Sequence, residues 1–117
     1  MRHVRFRAWD KKRKEMIPVY SINFETKLIN MEYAWRMFKE VEIMQSTNKR
    51  DDKGNYIYEG DIVDNPYGYI EFYDDSNGFY ITPINNNLTK IPLYRYGDRK
   101  INVIGNIYEN KELLERI

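Results

Sequence analysis

The chain contains no cysteine and a single histidine, His3. The missing thiols exclude disulfide bonds and thiolate metal sites, and with one imidazole and no acidic metal-binding loop we expect no metal and no cofactor. No apolar run approaches the roughly 20 residues that a membrane-spanning helix requires. Arg2, Arg5 and Arg7 interrupt any apolar start, so we expect no signal peptide and a cytoplasmic location.

Aromatic side chains are frequent in this chain of 117 residues, which has eleven Tyr and two Trp. Tyr buries a large area but needs a partner for its hydroxyl group, so it is favoured in sheets and interfaces. Hydrophobic residues make up 42% of the chain, which is enough for a core. These features predict one domain, or two closely joined subdomains, rich in β-structure.

The formal net charge of +1 argues against a general polyanion-binding protein. The charges are nevertheless unevenly distributed. Residues 1–14 contain seven Lys and Arg against one Asp, a net charge of +6, and residues 51–75 contain one Lys against eight Asp and Glu, a net charge of −7. The two segments can attract each other within or between chains, or they are solvated faces whose exposed ion pairs contribute only about 0–1 kcal/mol each.

Short runs that alternate between apolar and polar residues recur along the chain and predict β-strands. The first run places two sets of side chains on opposite faces of a strand, Val4, Phe6 and Ala8 on one and Arg5, Arg7 and Trp9 on the other. Further strands are predicted over residues 16–19, 22–24, 41–44, 56–58, 62–63, 69–73, 79–81, 91–96 and 101–107. The Asn77-Gly78 pair predicts a hairpin turn between two of them.

Three other segments are predicted to be helix or loop. Residues 31–40 favour a short helix or helical turn, because four members have helical spacing: Met31, Ala34, Trp35 and Phe38. Residues 46–53 are polar and are predicted to form a loop. Asn110 is a candidate N-cap for a short C-terminal helix.

Four residues are predicted to shape turns. Gly54 and Gly60 can adopt the positive φ that tight turns need, and Gly105 is a further turn residue. Asp61 is predicted to accept a hydrogen bond from a backbone N–H two or three residues further on. Such Gly-Asp turns that enter a short strand are common in small barrels.

Three blocks of residues carry a resemblance to a known family: residues 5–10 (RFRAWD), then Met44-Gln45 leading to 52–54 and 57–63 (IYEGDIV), then 103–110 (VIGNIYEN). In this order they resemble the YopX family of phage and prophage proteins. The resemblance implies an N-terminal α+β part, a C-terminal SH3-like β-roll and a phage or prophage setting. It implies no activity and no catalytic residue.

We therefore expect an α+β protein that is mostly antiparallel β. Residues 1–50 are predicted to form an N-terminal α+β subdomain, and residues 51–117 an SH3-like β-barrel or roll with a short C-terminal helix. One departure from the family pattern occurs at residues 46–48, Ser-Thr-Asn, where members usually have a Tyr-Thr-Gly-like turn. Because Asn48 can adopt positive φ, we expect the turn to survive.

Arg5, Arg7 and Trp9 are the best candidates for ligand binding. On a strand all three project from one face, where guanidinium groups can bind phosphate or carboxylate and the indole can stack on a base. The alternative is that this face packs against another subdomain or subunit. Tyr56 and Tyr58, which share a face opposite Ile57, are further candidates on the same grounds.

The leading functional hypothesis is a non-enzymatic, homo-oligomeric accessory protein of phage growth in the host cell. It would capture a host factor or a small anionic nucleotide in a pocket between subunits and so interfere with host defence. The first alternative is a nucleic-acid-binding protein. The second is a small hydrolase acting on a nucleotide through Glu59, Asp61 or Asp64, although no nucleophile elbow, phosphate-binding Gly loop or dinucleotide fingerprint is present.

Overall fold

A computed structural model of the chain describes residues 4–31, 34–64, 66–84, 89–97 and 99–115. These residues form eleven strands in two sheets, mostly antiparallel, with three short 3₁₀ turns. The chain divides into two compact units, Met1–Ser46 and Thr47–Ile117. The division falls after Ser46. The boundary predicted from the sequence was residue 50, which lies in the same polar segment, residues 46–53.

The first unit is built on a sheet in the order β4-β3-β2-β1-β5. Its strands are β1 (Phe6–Asp10), β2 (Glu15–Asn23), β3 (Leu28–Met31), β4 (Ala34–Met37) and the first part of β5 (Val41–Arg50). Ala8 is fully buried in a core with Ile17, Ile29, Met31 and Val41. The strand predicted from the alternating residues of the first segment is therefore confirmed. It begins at Phe6, and Val4, which precedes it, is half exposed.

The predicted helix over residues 31–40 is wrong. Ala34–Met37 forms β4, which pairs with β3 and places Trp35 opposite Asn30 and Met37 opposite Leu28. Among the described residues of this segment, only Phe38–Glu40 is helical, as a single 3₁₀ turn. The apolar spacing that suggested a helix is overridden because hairpin pairing with β3 satisfies backbone groups of this segment.

The predicted loop over residues 46–53 is largely a strand, because β5 continues to Arg50. The polar residues of this segment stabilise the strand, because their side chains form hydrogen bonds with backbone groups. Thr47 Oγ1 donates to the carbonyl oxygen of Ile57 at 2.8 Å and accepts from the Lys49 amide at 3.1 Å. Asn48 does adopt positive φ, at +66°, but it does so within a strand and not in a turn.

The second unit contains the end of β5, β6 (Tyr56–Tyr58) and a five-stranded sheet. The strands of that sheet follow the order β10-β9-β8-β7-β11: β7 (Asp61–Asp64), β8 (Gly68–Tyr73), β9 (Gly78–Pro83), β10 (Ile91–Pro92) and β11 (Asn102–Asn106). Its core comprises Ile57, Val63, Ile70, Ile81, Leu93 and Ile101. Antiparallel β-structure is confirmed, but the sheet is open, so the SH3-like barrel is not confirmed.

Two of the predicted turn residues have the expected backbone. Gly54 and Gly60 have φ of +87° and +86°. Asp61 was expected to accept from an amide after it, but its Oδ2 accepts from the amide of Tyr58, three residues before it, at 2.8 Å. Asp61 is buried. The chain reverses at Gly60, which places the Tyr58 amide beside the Asp61 carboxylate, and this hydrogen bond closes the turn.

Gly105 is not a turn residue, since it lies in β11 beside a register shift in the pairing with β7. It is needed for a close approach, because a Cβ there would lie 2.5 Å from Asn110 Oδ1. That Oδ1 accepts a hydrogen bond from the Asn106 amide at 3.0 Å. Asn110 therefore does not use its side chain to cap the C-terminal helix, which is a 3₁₀ turn at Lys111–Glu115.

Candidate functional site

Two residues of the predicted ligand face, Arg7 and Trp9, lie on β1 in the middle of a sheet, and Arg5 immediately precedes the strand. Arg7 is opposite Pro18 on β2 and Met44 on β5, so both edges of β1 are already paired. Arg5, Arg7 and Trp9 are half-buried and take part in interactions within the chain. The strand therefore has no open backbone edge for a second subunit, and any partner would have to contact its side chains.

Tyr56 and Tyr58 lie on β6 with the predicted alternation, since Ile57 between them is fully buried and both rings are half-buried. The guanidinium of Arg50 covers the Tyr56 ring, with its carbon 4.6 Å from the ring centre, and donates to the Tyr56 hydroxyl at 2.9 Å. Local contacts thus already occupy the Tyr56 ring.

A cavity of about 570 Å³ lies within the second unit, away from all five predicted ligand residues. Three stretches of the chain form it: the end of β5, the hairpin that joins β8 to β9, and the 3₁₀ turn Leu93–Tyr96 after β10. Its lining consists of Thr47, Asn48, Lys49, Ser76, Asn77, Gly78, Phe79, Tyr80, Pro92, Leu93, Tyr94 and Gly97. This volume falls in the range of pockets that hold small molecules, about 300–1,000 Å³.

Local backbone chemistry brings the polar residues of the lining into place. Asn48 and Asn77 have positive φ, at +66° and +54°, which Asn tolerates better than most residues. The Asn77 amide donates to the Asp74 carbonyl at 3.3 Å and closes the predicted hairpin turn. Two carboxamide residues at special backbone positions therefore line the cavity, one on β5 and one on the hairpin.

Lys49 is the one charged residue among the described residues that line the cavity, and it supplies a positive charge there. Its ammonium group donates to the carbonyl oxygen of Gly97, which joins β5 to the end of the 3₁₀ turn. Because an ammonium group has three N–H donors, this bond leaves donors for a ligand. None of the described lining residues carries a carboxylate, although Ser76 Oγ donates to the neighbouring Asp75 carboxylate at 3.2 Å, so Lys49 is the group of the described lining that suits an anion.

Aromatic rings supply the apolar part of the lining. Of the lining residues, Tyr94 is 80% exposed and Leu93 is buried. Phe79 is held in place by Phe72, whose ring meets it edge to face with centroids 5.1 Å apart. The Tyr80 ring contacts Tyr73 in the same manner, also at 5.1 Å. These rings offer surfaces on which a planar ligand could stack.

The outer side of the β8–β9 hairpin carries a chain of hydrogen bonds behind Tyr80. Thr82 Oγ1 donates to Glu71 Oε1 at 2.9 Å, so its remaining contact, with the Tyr73 hydroxyl at 2.9 Å, must have Tyr73 as donor. Glu71 also holds the Tyr69 hydroxyl. Burial, and then the negative charge and hydrogen bond of Glu71, raise the pKa of Tyr69 above its ordinary value.

Lys90 anchors this side of the hairpin. Its Nζ lies 3.6 Å from the centre of the Tyr73 ring and 4.8 Å from that of Tyr80. Lys90 immediately precedes β10, whose two residues Ile91 and Pro92 pair with β9. Because Pro92 has no N–H to donate, the cation–π contacts help to hold β10 and thereby the wall that carries Tyr94.

The carboxylates proposed for a hydrolase do not converge on the cavity. Glu59, Asp61 and Asp64 are all missing from its lining, and Asp61 is used in its turn. No cluster of three or more His, Cys, Asp or Glu suited to a metal ion occurs among the residues that the structure describes. In the described parts of the chain, no helix has the length and apolar character needed to cross a membrane.

Comparison with known proteins settles the family. A protein-family model described as YopX protein matches residues 5–115 of this chain. The chain belongs to the YopX protein family. Its structure is similar to the crystal structure of protein EF1440 from Enterococcus faecalis, with a TM-score of 0.66 and 28% identity over 97% of this chain and 99% of that chain. No curated protein matches the sequence.

The predicted YopX resemblance is thus confirmed, and its three blocks can be compared with the cavity. None of the residues in the blocks lines it. Sequence reasoning missed the cavity because its walls come from residues 47–49, 76–80 and 92–97, which lie far apart in the chain. Two signals were nevertheless visible: the Asn-Gly hairpin and the departure from the YopX pattern at Asn48.

Proposed function

We propose that this protein is a non-enzymatic binding module whose second unit holds a small anionic ligand with a planar ring, such as a mononucleotide. The cavity beside Lys49 carries this proposal, because its described lining combines one cation, no carboxylate and several aromatic rings in a volume suited to a small molecule. Membership of the YopX family suggests a phage-associated protein. Capture of a nucleotide inside the host cell, as interference with host defence, fits that setting.

Each part of the ligand has a matching group in the lining. The Lys49 ammonium can bind a phosphate oxygen by a charge-assisted hydrogen bond. Tyr94 and Tyr80 can stack on the ring, and the carboxamides of Asn48 and Asn77 have both the donors and the acceptors that a base edge requires. Since these residues belong to one chain, the site needs no second subunit. Self-association therefore stays a separate prediction from the sequence.

The test is calorimetric titration with three related probes: adenosine 5′-monophosphate, adenosine, and ribose 5-phosphate. The proposal predicts that the nucleotide binds more tightly than either fragment, because only it engages both Lys49 and the rings. One charge-assisted hydrogen bond is worth about 1.5–3 kcal/mol, so adenosine should bind at least tenfold more weakly. Guanosine, cytidine and uridine monophosphates extend the panel to the other bases.

Variants assign the two contributions. Lys49→Met should weaken the nucleotide at least tenfold and leave adenosine unchanged, whereas Tyr94→Ala should weaken both. Lys53→Met is the matched control, since Lys53 is exposed in the turn before Gly54 and outside the cavity. The proposal is wrong if no mononucleotide binds at millimolar concentration, or if Lys49→Met and Lys53→Met behave alike.

A further inference from the structure

The outer face of the first sheet carries exposed rings that the cavity does not use. The register places Pro18 beside Arg7, Asn30 beside Trp35 and Leu28 beside Met37, so one face of the sheet extends from β1 to β4. The opposite face holds the core residues Ile17, Ile29 and Met31. The outer face is therefore the side of the sheet that faces away from the core.

Large side chains remain accessible on this outer face. Tyr20 is 62% exposed, Trp35 is 58% exposed and Met37 is 44% exposed. Tyr20 lies at the register shift of β2, between Val19 and Ser21, where an extra residue is accommodated. We call Tyr20, Trp35 and Met37, together with the flanking lysines described next, the aromatic face.

Two exposed lysines flank the Met37 end of the aromatic face. The Phe38 amide donates to the Lys27 carbonyl at 3.0 Å, which places Lys27 beside the 3₁₀ turn that contains Lys39. Nearby, Lys11 is paired with Glu42 at 3.2 Å. The first unit as a whole is positive, since residues 1–46 contain ten Lys and Arg and six Asp and Glu, a net charge of +4, against −3 for residues 47–117.

We propose that the aromatic face binds single-stranded nucleic acid, with bases stacked on Trp35 and Tyr20 and phosphates held by Lys27 and Lys39. The two rings lie on β4 and β2, two strand spacings or about 10 Å apart, so they would engage two different bases. Stacking on aromatic side chains in a positive field is the general mode of single-strand recognition. The net charge of the whole chain is near zero because the negative charge of the second unit offsets the positive charge of the first. The positive charge of the first unit is therefore not visible in the total.

A second copy of the chain fits this face less well. Two backbone groups of β4 are already bonded to side chains, since the Met37 amide donates to Glu40 Oε1 at 2.8 Å and the Trp35 carbonyl accepts from Arg36 Nη1 at 3.1 Å. These bonds disfavour the addition of another strand at this edge. Two copies that met face to face would also bring together surfaces of like charge.

The test is fluorescence anisotropy with a labelled 12-nucleotide oligothymidine, titrated with the intact protein at several salt concentrations. Trp35→Ala should weaken binding about tenfold or more, and Trp35→Phe, which keeps a ring, should recover most of the loss. Two phosphate contacts predict a slope of about −1.4 for log K against log salt, and Lys27→Met with Lys39→Met should remove most of that slope. Lys100→Met is the matched control, since Lys100 is exposed in the second unit and lies outside the cavity, and it should bind normally.

Three results would overturn the proposal. The first is equal binding by Trp35→Ala and the unaltered protein, and the second is duplex DNA bound as tightly as the single strand. The third is a dimer in sedimentation that Trp35→Ala abolishes, because the face would then be an interface between copies. Since Lys49 and Tyr94 lie outside the aromatic face, loss of mononucleotide binding in their variants leaves this test unaffected.

Discussion

The carbonyl oxygen of Gly60 accepts a hydrogen bond from the amide of Ile107 at 2.9 Å. This bond joins two of the blocks that carry the YopX resemblance, and the pairing of Asp61 with Asn106 on β7 and β11 extends the contact. The Asn106 carboxamide in turn accepts from the amides of Tyr108 and Glu109. The most recognisable residues of the second unit are therefore occupied in building turns, which explains why they predicted a fold and no reaction.

Gly68 should be intolerant of any side chain. A Cβ there would lie 2.5 Å from the Thr82 carbonyl oxygen on β9, and the strand pairing prevents that oxygen from moving away. Gly68→Ala should therefore lower the free energy of unfolding by about 1–3 kcal/mol in urea denaturation. Gly78→Ala is the matched control, because its nearest neighbour would be 3.8 Å away, and it should change stability by at most about 0.5 kcal/mol. Equal effects of the two changes would contradict the close approach of β8 and β9.

The ion pair between Asp10 and Arg36 should matter far more than the surface pairs. Asp10 is fully buried, its Oδ2 lies 3.1 Å from Arg36 Nε, and its Oδ1 accepts from the amides of Lys12 and Arg13. Arg36→Met leaves a buried charge without its partner and should cost about 3–5 kcal/mol. Lys11→Met, which breaks an exposed pair with Glu42, should cost less than about 1 kcal/mol. The same denaturation midpoint for both variants would show that Asp10 is solvated.

Tyr69 should make stability depend on pH in the alkaline range. Its pKa is raised in the folded state, so the folded protein keeps a proton that the unfolded chain loses near pH 10. The contribution is present below about pH 10 and is lost as the pH rises through the folded-state pKa. Unfolding free energy should consequently fall more steeply above pH 10 in the unaltered protein than in Tyr69→Phe.

The same change can be followed directly by absorbance. The difference between the tyrosinate titrations of the unaltered protein and Tyr69→Phe isolates this one hydroxyl group among eleven. Its midpoint should lie above about 10. A midpoint at or below 10 would mean that Glu71 and burial do not act on Tyr69 as the structure indicates.

Much of the strand pattern could be predicted because it is local. The alternation around Ala8 and the Asn77-Gly78 turn each needed only a few neighbouring residues. The segment from Ala34 to Met37 could not be predicted, since its spacing fits a helix and only pairing with β3 makes it a strand. The extension of β5 was missed for a similar reason, because Ser46 is polar yet 2% exposed and its burial depends on distant parts of the chain.

The candidate site was less predictable than the fold. Arg7 and Trp9 were correctly placed on one face of a strand, whereas Arg5 immediately precedes β1. The pairing of β1 on both sides depends on distant strands and could not be predicted from the local sequence. The cavity brings together Lys49 and Gly97, two residues 48 positions apart. Such a contact forms only when whole strands pack together, so it cannot be predicted from a local sequence pattern.

The most direct test of the central claim is a nuclear magnetic resonance titration of ¹⁵N-labelled protein with adenosine 5′-monophosphate. The account predicts saturable shifts in the backbone amides of residues 47–49, 76–80 and 93–97, the three stretches that line the cavity, with little change in residues 4–31. Lys49→Met should reduce the shifts at the same nucleotide concentration, and Lys53→Met should not. Shifts that do not saturate, or that map to other parts of the chain, would contradict a ligand site in the cavity of the second unit.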